Sequence, residues 1–488
     1  MKIAGLDIGT TGCKLTVFDE NGAELGKAYR DYPVRRAVSG HEVDVTYMME
    51  SVYGVIGEMA ARYHDIGGIG VTSFGETFVA VGNAGEPLHT SMLYTDPRGA
   101  EECAELAGKL GADNIARITG LAPHEMYSIS KMMWLKRHRP EVFSAAKRIF
   151  LIGDFVVWHL TGRAQIDYSL ATRTMAFDIN TLSWSREVFD AAGIDISLMS
   201  DPVPPGTIAG NVTSAVARRT GLDRNCVIVT VSHDQVAAAA GAGVFDGETA
   251  VDGAGTVECL TPIYDSLPDI GVMAKGYFSV VPYVISGKYA AYAFSYTGGA
   301  LIQWCVDNIA GGADNAELEK AYGKDGPTGL LVLPHFAGAA TPYMDTGSRG
   351  AILGLTTATT VPELYRACME GVAYEMRLNY EALADSGIRF TGIRATGGGA
   401  KSKVWMQMKA DILNMPVTAL KTVDAGTVGC AMLTGVATGV FSDLKEAASV
   451  MVREAETYFP RPEMHDRYMK VYKRYKDVYN AVRPLMDE

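Results

Sequence analysis

Cysteine is sparse and never paired along this chain: Cys13, Cys103, Cys226, Cys259, Cys305, Cys368 and Cys430 stand singly, with no Cys-x-x-Cys and an odd total. A disulfide frame or a zinc cluster needs closely spaced cysteines, so neither is indicated, and buried thiols in a reducing compartment are expected. Long uncharged runs are scarce. The stretch Ala425 to Ser442 contains Gly426, Gly429, Gly435 and Gly439 and suits a close-packed buried helix better than a membrane span. Asp7 interrupts the N-terminus before a signal-peptide apolar core has formed, so secretion is not expected. No Gly-Lys-Ser or Gly-Lys-Thr occurs, which excludes the P-loop class. Positive charge is also short: 44 Lys and Arg against 56 Asp and Glu leave −12, which opposes generic binding to nucleic acid or anionic lipid. A soluble cytoplasmic protein without nucleic-acid or membrane partners is expected.

What the chain has is length, apolar residues and glycine. Its 488 residues, 48% apolar and 20% charged, are enough for two large domains or about three ordinary ones. The 53 glycines exceed the usual ~7% and lack collagen-like periodicity, so their positions carry the information.

Lys2 to Leu6 is a short apolar run, followed by Asp7-Ile8-Gly9-Thr10-Thr11-Gly12, a β-type run from Cys13 to Phe18 and an Asn21-Gly22 turn. This reads as a β-hairpin. Thr249 to Val251, Asp252-Gly253-Ala254-Gly255-Thr256 and Val257 to Leu260 repeat the arrangement. The echo points to two related halves with a boundary near Phe245 to Glu248. Helical spacing covers Val45 to Tyr63, Lys131 to Arg137, Val361 to Ala384, Lys403 to Leu413 and Leu444 to Thr457. Strands are expected at Ile66 to Thr72, Cys226 to Val231, Leu330 to Leu333 and Gly392 to Thr396. The class is α/β. A last helix, Met464 to Val482, carries Tyr468, Tyr472, Tyr475 and Tyr479 among basic residues, a pattern expected to pack on the body of the protein rather than bind nucleic acid.

Three polar turns follow apolar strands. Asp7 is either an ordinary turn aspartate or a carboxylate facing a metal ion, with Thr10, Thr11 and Lys14 turned to phosphate. Asp234, after the strand ending at Ser232-His233, is either a helix cap or a general base, and both roles are compatible. Gly75-Glu76-Thr77 and Tyr94-Thr95-Asp96-Pro97-Arg98 are either ligand-binding turns or solvated loops. Thr396-Gly397-Gly398-Gly399-Ala400-Lys401-Ser402, between a strand and a helix, has the glycines that let backbone approach a nucleotide.

Together these segments resemble the FGGY family of carbohydrate kinases, in the actin, hexokinase and Hsp70 ATPase superfamily. Met126-Tyr127-Ser128-Ile129-Ser130-Lys131-Met132-Met133-Trp134-Leu135-Lys136-Arg137-His138 matches the family's first signature. Gly350 to Leu355, with Glu363-Leu364 and Ala367 to Glu370, is similar to the second, Cys368 departing from it. Asp167-Tyr168-Ser169 with Ala171-Thr172-Arg173-Thr174, and Gly397 to Ala400 with Trp405, Gln407 and Ala410 to Leu413, resemble two further family segments.

The resemblance implies two actin-like (ribonuclease H-like) ATPase domains with a cleft between them, 1–245 on the sugar side and 246–488 on the nucleotide side. It implies transfer of the γ-phosphate of ATP to a sugar hydroxyl, with Asp234 as base and Mg²⁺ at Asp7 and Asp234. ATP contacts would come from Thr10, Thr11, Lys14, Gly255, Thr256, Gly299, Gln303 and Gly399, and substrate contacts from Gly75, Glu76, Met126, Tyr127 and Asp234. The expected substrate is a ketose, a xylulose-like pentulose. A polyol or another sugar such as L-fuculose, erythritol or glycerol is the alternative, although the family's glycerol kinases carry Arg-Glu-Thr where this chain has Gly75-Glu76-Thr77. An actin- or Hsp70-like nucleotide switch is the reading from a different class. A homodimer is one possible assembly.

Overall fold

The computed structural model describes residues 1–37, 40–422 and 424–486. The chain divides into two compact units. The first comprises Met1–Gly243, Val280–Tyr289 and Asp424–Val452, and the second holds the remaining described residues. Two stretches beyond the expected cut at 245/246, Val280–Tyr289 and Asp424–Val452, fall in the first unit, and in the latter helix Ala425–Ala437 packs on the central strands and on helix Asp234–Gly241.

The first unit's main sheet runs Thr207–Asn211, Val227–His233, Ile66–Ser73, Lys2–Ile8, Gly12–Phe18, Glu24–Asp31. Lys2–Ile8 pairs antiparallel with Gly12–Phe18 and parallel with Ile66–Ser73, which in turn lies parallel to Val227–His233. The inner strands are buried on both faces, which is why they read as unbroken apolar runs rather than alternating ones. All three end in polar residues at the same end of the sheet: Asp7 is in register with Thr72, and Ser73 with His233.

The second unit repeats this plan. Its sheet contains, in order, Tyr289–Ser295, Glu258–Tyr264, Thr249–Ala254, Gly392–Thr396, Val417–Leu420 and Glu454–Tyr458. Thr249–Ala254 is antiparallel to Glu258–Tyr264 and parallel to Gly392–Thr396, which is parallel to Val417–Leu420, with an antiparallel edge strand. The echo between Asp7 and Asp252 is thus matched by two hairpins at equivalent positions of two like sheets.

Two helical expectations are corrected. The helix read from Leu444 to Thr457 stops at Met451, and Glu454–Tyr458 is a strand along Val417–Leu420. Edge pairing there outweighs the helix preference of Glu and Ala. The last helix is two, Pro462–Tyr475 and Val478–Val482. Tyr468, Tyr472 and Tyr475 are buried around Tyr374, so the tyrosine face is core. All seven cysteines are buried and outside disulfides, and no helix among the described residues is long and apolar enough to cross a membrane.

Candidate active site

In the first unit, the turn Gly9 to Gly12 is closed by the Gly9 N–H donating to the Gly12 carbonyl at 2.9 Å, and the Tyr32 N–H donates to the Thr11 carbonyl at 3.0 Å. Thr10 is half-buried and Thr11 exposed. Asp7 lies one strand-step before this turn, in register with Lys14. Burial lifts its carboxyl to about 6, Lys14 opposing and Asp424 adding to the rise. Lys14, the expected phosphate ligand, is ion-paired with Asp424. Gly426 leaves space beside Asp7: a Cβ there would stand 3.0 Å from Asp7 Oδ2.

Asp234 opens helix Asp234–Gly241 at the end of strand Val227–His233. His233, not Asp234, is the N-cap residue, and it makes no side-chain cap. Asp234 Oδ1 is buried and accepts no hydrogen bond from the described residues, although His233 Nε2 approaches to 3.2 Å. The side chain as a whole keeps 27% exposure, so it borders open space. Burial, with the charges of Asp7 and Glu76, pushes Asp234 up to about 8, while burial holds His233 well below its ordinary value and keeps it neutral. The His233 N–H is fixed by Ser169 Oγ at 2.9 Å, and Thr72 Oγ1 donates to the Ser232 carbonyl at 2.6 Å. The Asp167 to Thr174 segment therefore buttresses the strand end that carries Asp234.

Glu76 has φ +65 and is almost wholly buried, a conformation that a non-glycine residue keeps only when its surroundings enforce it. Here Arg173 donates to Glu76 Oε1 from Nε at 2.7 Å and from Nη2, its guanidinium lying over the Tyr127 ring at 5.1 Å. Ser128 Oγ donates to the Glu76 carbonyl at 2.6 Å. Gly75 has no side chain because Arg173 occupies that space: a Cβ would be 2.8 Å from Arg173 Cγ. Met126 and Tyr127 are buried at the start of helix Ser128–His138, the Met126 N–H donating to His124 Nδ1 at 3.1 Å. Tyr94 belongs to the same neighbourhood, since burial and the Glu76 and Asp234 carboxylates raise its phenol. The turn after it is not a solvated loop: Asp96 is buried, accepting from the His41 N–H at 2.7 Å and from Arg98 Nε at 2.8 Å.

The second unit brings Gly255, Thr256, Gly299, Gln303 and Gly399 to one cavity of about 1040 Å³, together with Trp304, Asn315, Tyr365, Lys401 and Trp405. Helix Gly299–Asn308 starts directly on the hairpin, Gly299 and Ala300 N–H donating to the Gly255 and Thr256 carbonyls at 2.8 and 3.1 Å. Close approach requires glycine here, because a Cβ at Gly299 would be 2.7 Å from the Gly255 oxygen and one at Gly399 2.7 Å from the Trp405 ring. Gln303 Nε2 donates to Asp307 within its own helix at 2.8 Å. Behind the hairpin, fully buried Lys409 bridges Asp252 Oδ2, at 2.6 Å, and Glu258 Oε1.

Sequence reasoning did not single out Arg173, Asp424, Lys131 or Lys409. Arg173 and Lys131 lay inside quoted motifs, and an arginine or lysine within a run of buried positions was the available signal. Lys131 is fully buried and donates to the Asp96 and Glu125 carbonyls at 2.7 and 2.6 Å. Asp424 carried no local signal, because its partner is 410 residues away.

Two α/β units of like plan, one with a carboxylate-lined strand end and the other with a glycine-lined cavity, define a nucleotide-dependent phosphotransferase of the actin-like ATPase fold. Residues 2–241 match the N-terminal domain of the FGGY family of carbohydrate kinases and residues 258–438 its C-terminal domain. A xylulose kinase from Bacillus subtilis is 26% identical over 492 residues, covering 99% of this chain and 97% of that protein. A glycerol kinase from Carboxydothermus hydrogenoformans is 31% identical over 465 residues, 91% of each. Among solved structures, a ligand-bound xylulose kinase from Lactobacillus acidophilus superposes with TM-score 0.91 at 25% identity, covering 99% of this chain and 98% of that one. A gluconate kinase from the same organism gives 0.89 at 25% identity over the same shares. The chain belongs to the FGGY family of carbohydrate kinases, and is an ATP-dependent phosphotransferase with an alcohol acceptor.

Proposed function

We propose that this kinase phosphorylates a neutral ketose, a xylulose-like pentulose, with Asp234 as the general base. The observation that carries the base assignment is the buried Asp234 Oδ1, which accepts no hydrogen bond from the described residues while the side chain borders open space. Such an oxygen is placed to take the proton of a hydroxyl as its oxygen attacks the γ-phosphorus. Glu76, Tyr127 and Met126 are the proposed sugar-side residues. The glycine-lined cavity of the second unit, with Gly255, Thr256, Gly299, Gln303 and Gly399, is the proposed ATP site, and Thr10 and Thr11 are the proposed phosphate contacts of the first unit. Lys14 acts there indirectly, holding Asp424 beside Asp7.

The residues present fit a magnesium ion. Asp7 and Asp234 are carboxylates of one unit, each shifted upward by burial, so a cation would relieve an unfavourable charge environment. Among the described residues no three or more His, Cys, Asp or Glu side chains are grouped to hold a metal. Two carboxylates, with water and phosphate oxygens completing the shell, are what Mg²⁺ uses with nucleotides. When bound, the ion neutralises charge on the transferred phosphate.

Full-length similarity to xylulose kinases supports the ketose. Glycerol is the second reading, favoured by the 31% identity to a glycerol kinase; against it, Gly75 stands where the family's glycerol kinases carry arginine, and Arg173 fills the space. The test is ADP release with D-xylulose, L-fuculose, erythritol, glycerol and gluconate. D-xylulose is expected to stimulate turnover most. Strongest stimulation by another compound overturns the ketose, and sugar-independent turnover throughout overturns the kinase assignment in favour of a nucleotide switch. Asp234→Asn is expected to lower kcat by roughly 10²–10⁴-fold with the ATP KM little changed, and near-normal turnover would remove Asp234 from the base role.

A further inference from the structure

A chain of net charge −12 can bind polyphosphate only where positive charge is placed locally. In the first unit the expected phosphate lysine, Lys14, is ion-paired with Asp424, whose other oxygen lies 3.5 Å from Lys27. Lys14 therefore brings a carboxylate with it. In the second unit the Gly255–Thr256 turn and the glycine start of helix Gly299–Asn308 carry no charge. Among the described residues that line the cavity there, Lys401 is the one cation, and Asp307 and Glu319 are the carboxylates. Both carboxylates are bonded to neutral donors, Asp307 to Gln303 Nε2 at 2.8 Å and Glu319 to Ser402 Oγ at 2.6 Å. The Lys401 ammonium makes no hydrogen bond or ion pair with the described residues.

The backbone fixes where Lys401 starts. Strand Gly392–Thr396 runs into Gly397 at φ +92, where a Cβ would stand 2.6 Å from the Ala254 oxygen and 3.4 Å from the Gly255 nitrogen. Only glycine lets the turn lie on the hairpin this closely. Gly399 repeats the contact, a Cβ there standing 3.2 Å from the same oxygen. The Lys401 N–H donates to the Gly398 carbonyl at 3.3 Å and the Ser402 N–H to the Gly399 carbonyl at 3.1 Å, closing the turn. Ser402 Oγ then caps helix Lys403–Leu413 by accepting from the Trp405 N–H at 3.0 Å. Lys401 is thus pinned on both sides, two residues from backbone that touches the hairpin, with its side chain exposed. Asp307 is at the far end of its helix, about 12 Å along it from Gly299.

We propose that Lys401 binds the polyphosphate of the nucleotide in the second unit's cavity, so that this cavity selects a nucleoside di- or triphosphate over the bare nucleoside. This deepens the ATP-site reading above and rests on it. A lysine ammonium on its flexible stem acts as a point charge on phosphate oxygens. No ion pair among the described residues has to be broken for Lys401 to engage them, so little of the attraction is spent on rearrangement. The contribution is that of a solvent-facing charge, screened and modest.

The test is calorimetric binding of ADP and of adenosine to the full-length protein at fixed ionic strength, comparing wild type with Lys401→Met, Lys401→Arg, Lys401→Glu and, as a marker of the cavity, Gly399→Ala. Lys401→Met is expected to raise the ADP Kd roughly fivefold, the scale of one charge contact open to solvent, with the adenosine Kd within twofold. Lys401→Glu should weaken ADP further, and Lys401→Arg should stay within twofold of wild type. An ADP Kd unchanged in Lys401→Met and Lys401→Glu overturns the proposal. So does an equal loss for ADP and adenosine, which would make Lys401 a nucleoside contact or a support of the turn. Lys401 is exposed, so these variants are expected to fold, and a circular dichroism spectrum matching wild type confirms it. ADP binding that is indifferent to Gly399→Ala overturns the ATP-site reading itself, whereas binding that is sensitive to Gly399→Ala and indifferent to residue 401 overturns only the role of Lys401.

Discussion

Gly241 and Gly429 touch backbone to backbone: a Cβ on Gly241 would stand 2.6 Å from the Gly429 nitrogen, and one on Gly429 would stand 3.0 Å from the Gly241 nitrogen and 1.9 Å from the Ala237 oxygen. The contact joins helix Asp234–Gly241 to helix Ala425–Ala437, so the element that carries Asp234 is seated on a stripe without side chains. Gly429→Ala is expected to destabilise the protein by about 1–3 kcal/mol through overpacking. It should also lower kcat, because the helix that must shift begins at Asp234. Urea unfolding and turnover measured on the same preparation check both parts, and a loss of stability with kcat unchanged would detach the stripe from the chemistry.

Much of this was legible in the sequence, for a physical reason. Strands buried on both faces appear as apolar runs, so Lys2 to Leu6 and Cys226 to Val231 announced themselves, and the polar residues after them marked Asp7 and Asp234. Gly255, Gly299 and Gly399 were expected at the nucleotide from the family resemblance, and the structure brings all three to one cavity. Pairings between distant residues were not readable. Lys14 with Asp424, Glu76 with Arg173, and Lys409 with Asp252 and Glu258 depend on which segments the sheets bring together, and no spacing encodes that. Sheet edges were misread for a related cause: the helix-favouring composition of Glu454 to Thr457 is overridden by a partner strand that only the tertiary fold supplies.

Lys409 supports the nucleotide hairpin from behind. Burial and the Asp252 carboxylate push Glu258 well above the ordinary carboxylate range, and Asp252 and Glu258 together raise Lys409 against its burial. Lys409→Met leaves a buried carboxylate without its cation, and a loss of about 3–5 kcal/mol is expected. Adding Asp252→Asn and Glu258→Gln to that variant should restore part of the stability, since no buried charge remains. Denaturant midpoints of the single and triple variants give the comparison, and equal losses would show that the charges are not what Lys409 serves.

The cavity of the second unit predicts a separation of substrates. Gly399→Ala places a methyl 2.7 Å from the Trp405 ring and 3.0 Å from Ala254 Cβ, on the lining of the cavity. The ATP KM is expected to rise about tenfold, roughly 1.4 kcal/mol of lost binding, with the sugar KM within twofold. Initial-rate measurements varying each substrate in turn check this. A rise confined to the sugar would place the nucleotide elsewhere.

Asp154 links stability to pH. Its carboxyl is buried in helix Ile152–Thr161 and takes a hydrogen bond from Ser200 Oγ at 2.6 Å. Burial raises it from 3.8 to about 8. As pH climbs between these values the unfolded chain releases this proton while the folded protein keeps it, so the fold loses stability at up to about 1.4 kcal/mol per pH unit from this group. The loss begins near the unfolded value and is complete once pH passes the folded one. Asp154→Asn has no proton to release and can still accept from Ser200. Its thermal midpoint relative to wild type is therefore expected to rise from pH 5 to pH 8, as followed by calorimetry. A difference that stays constant over that range would mean that Asp154 is ionised in the folded protein, and that its burial is compensated by neighbours rather than by a proton.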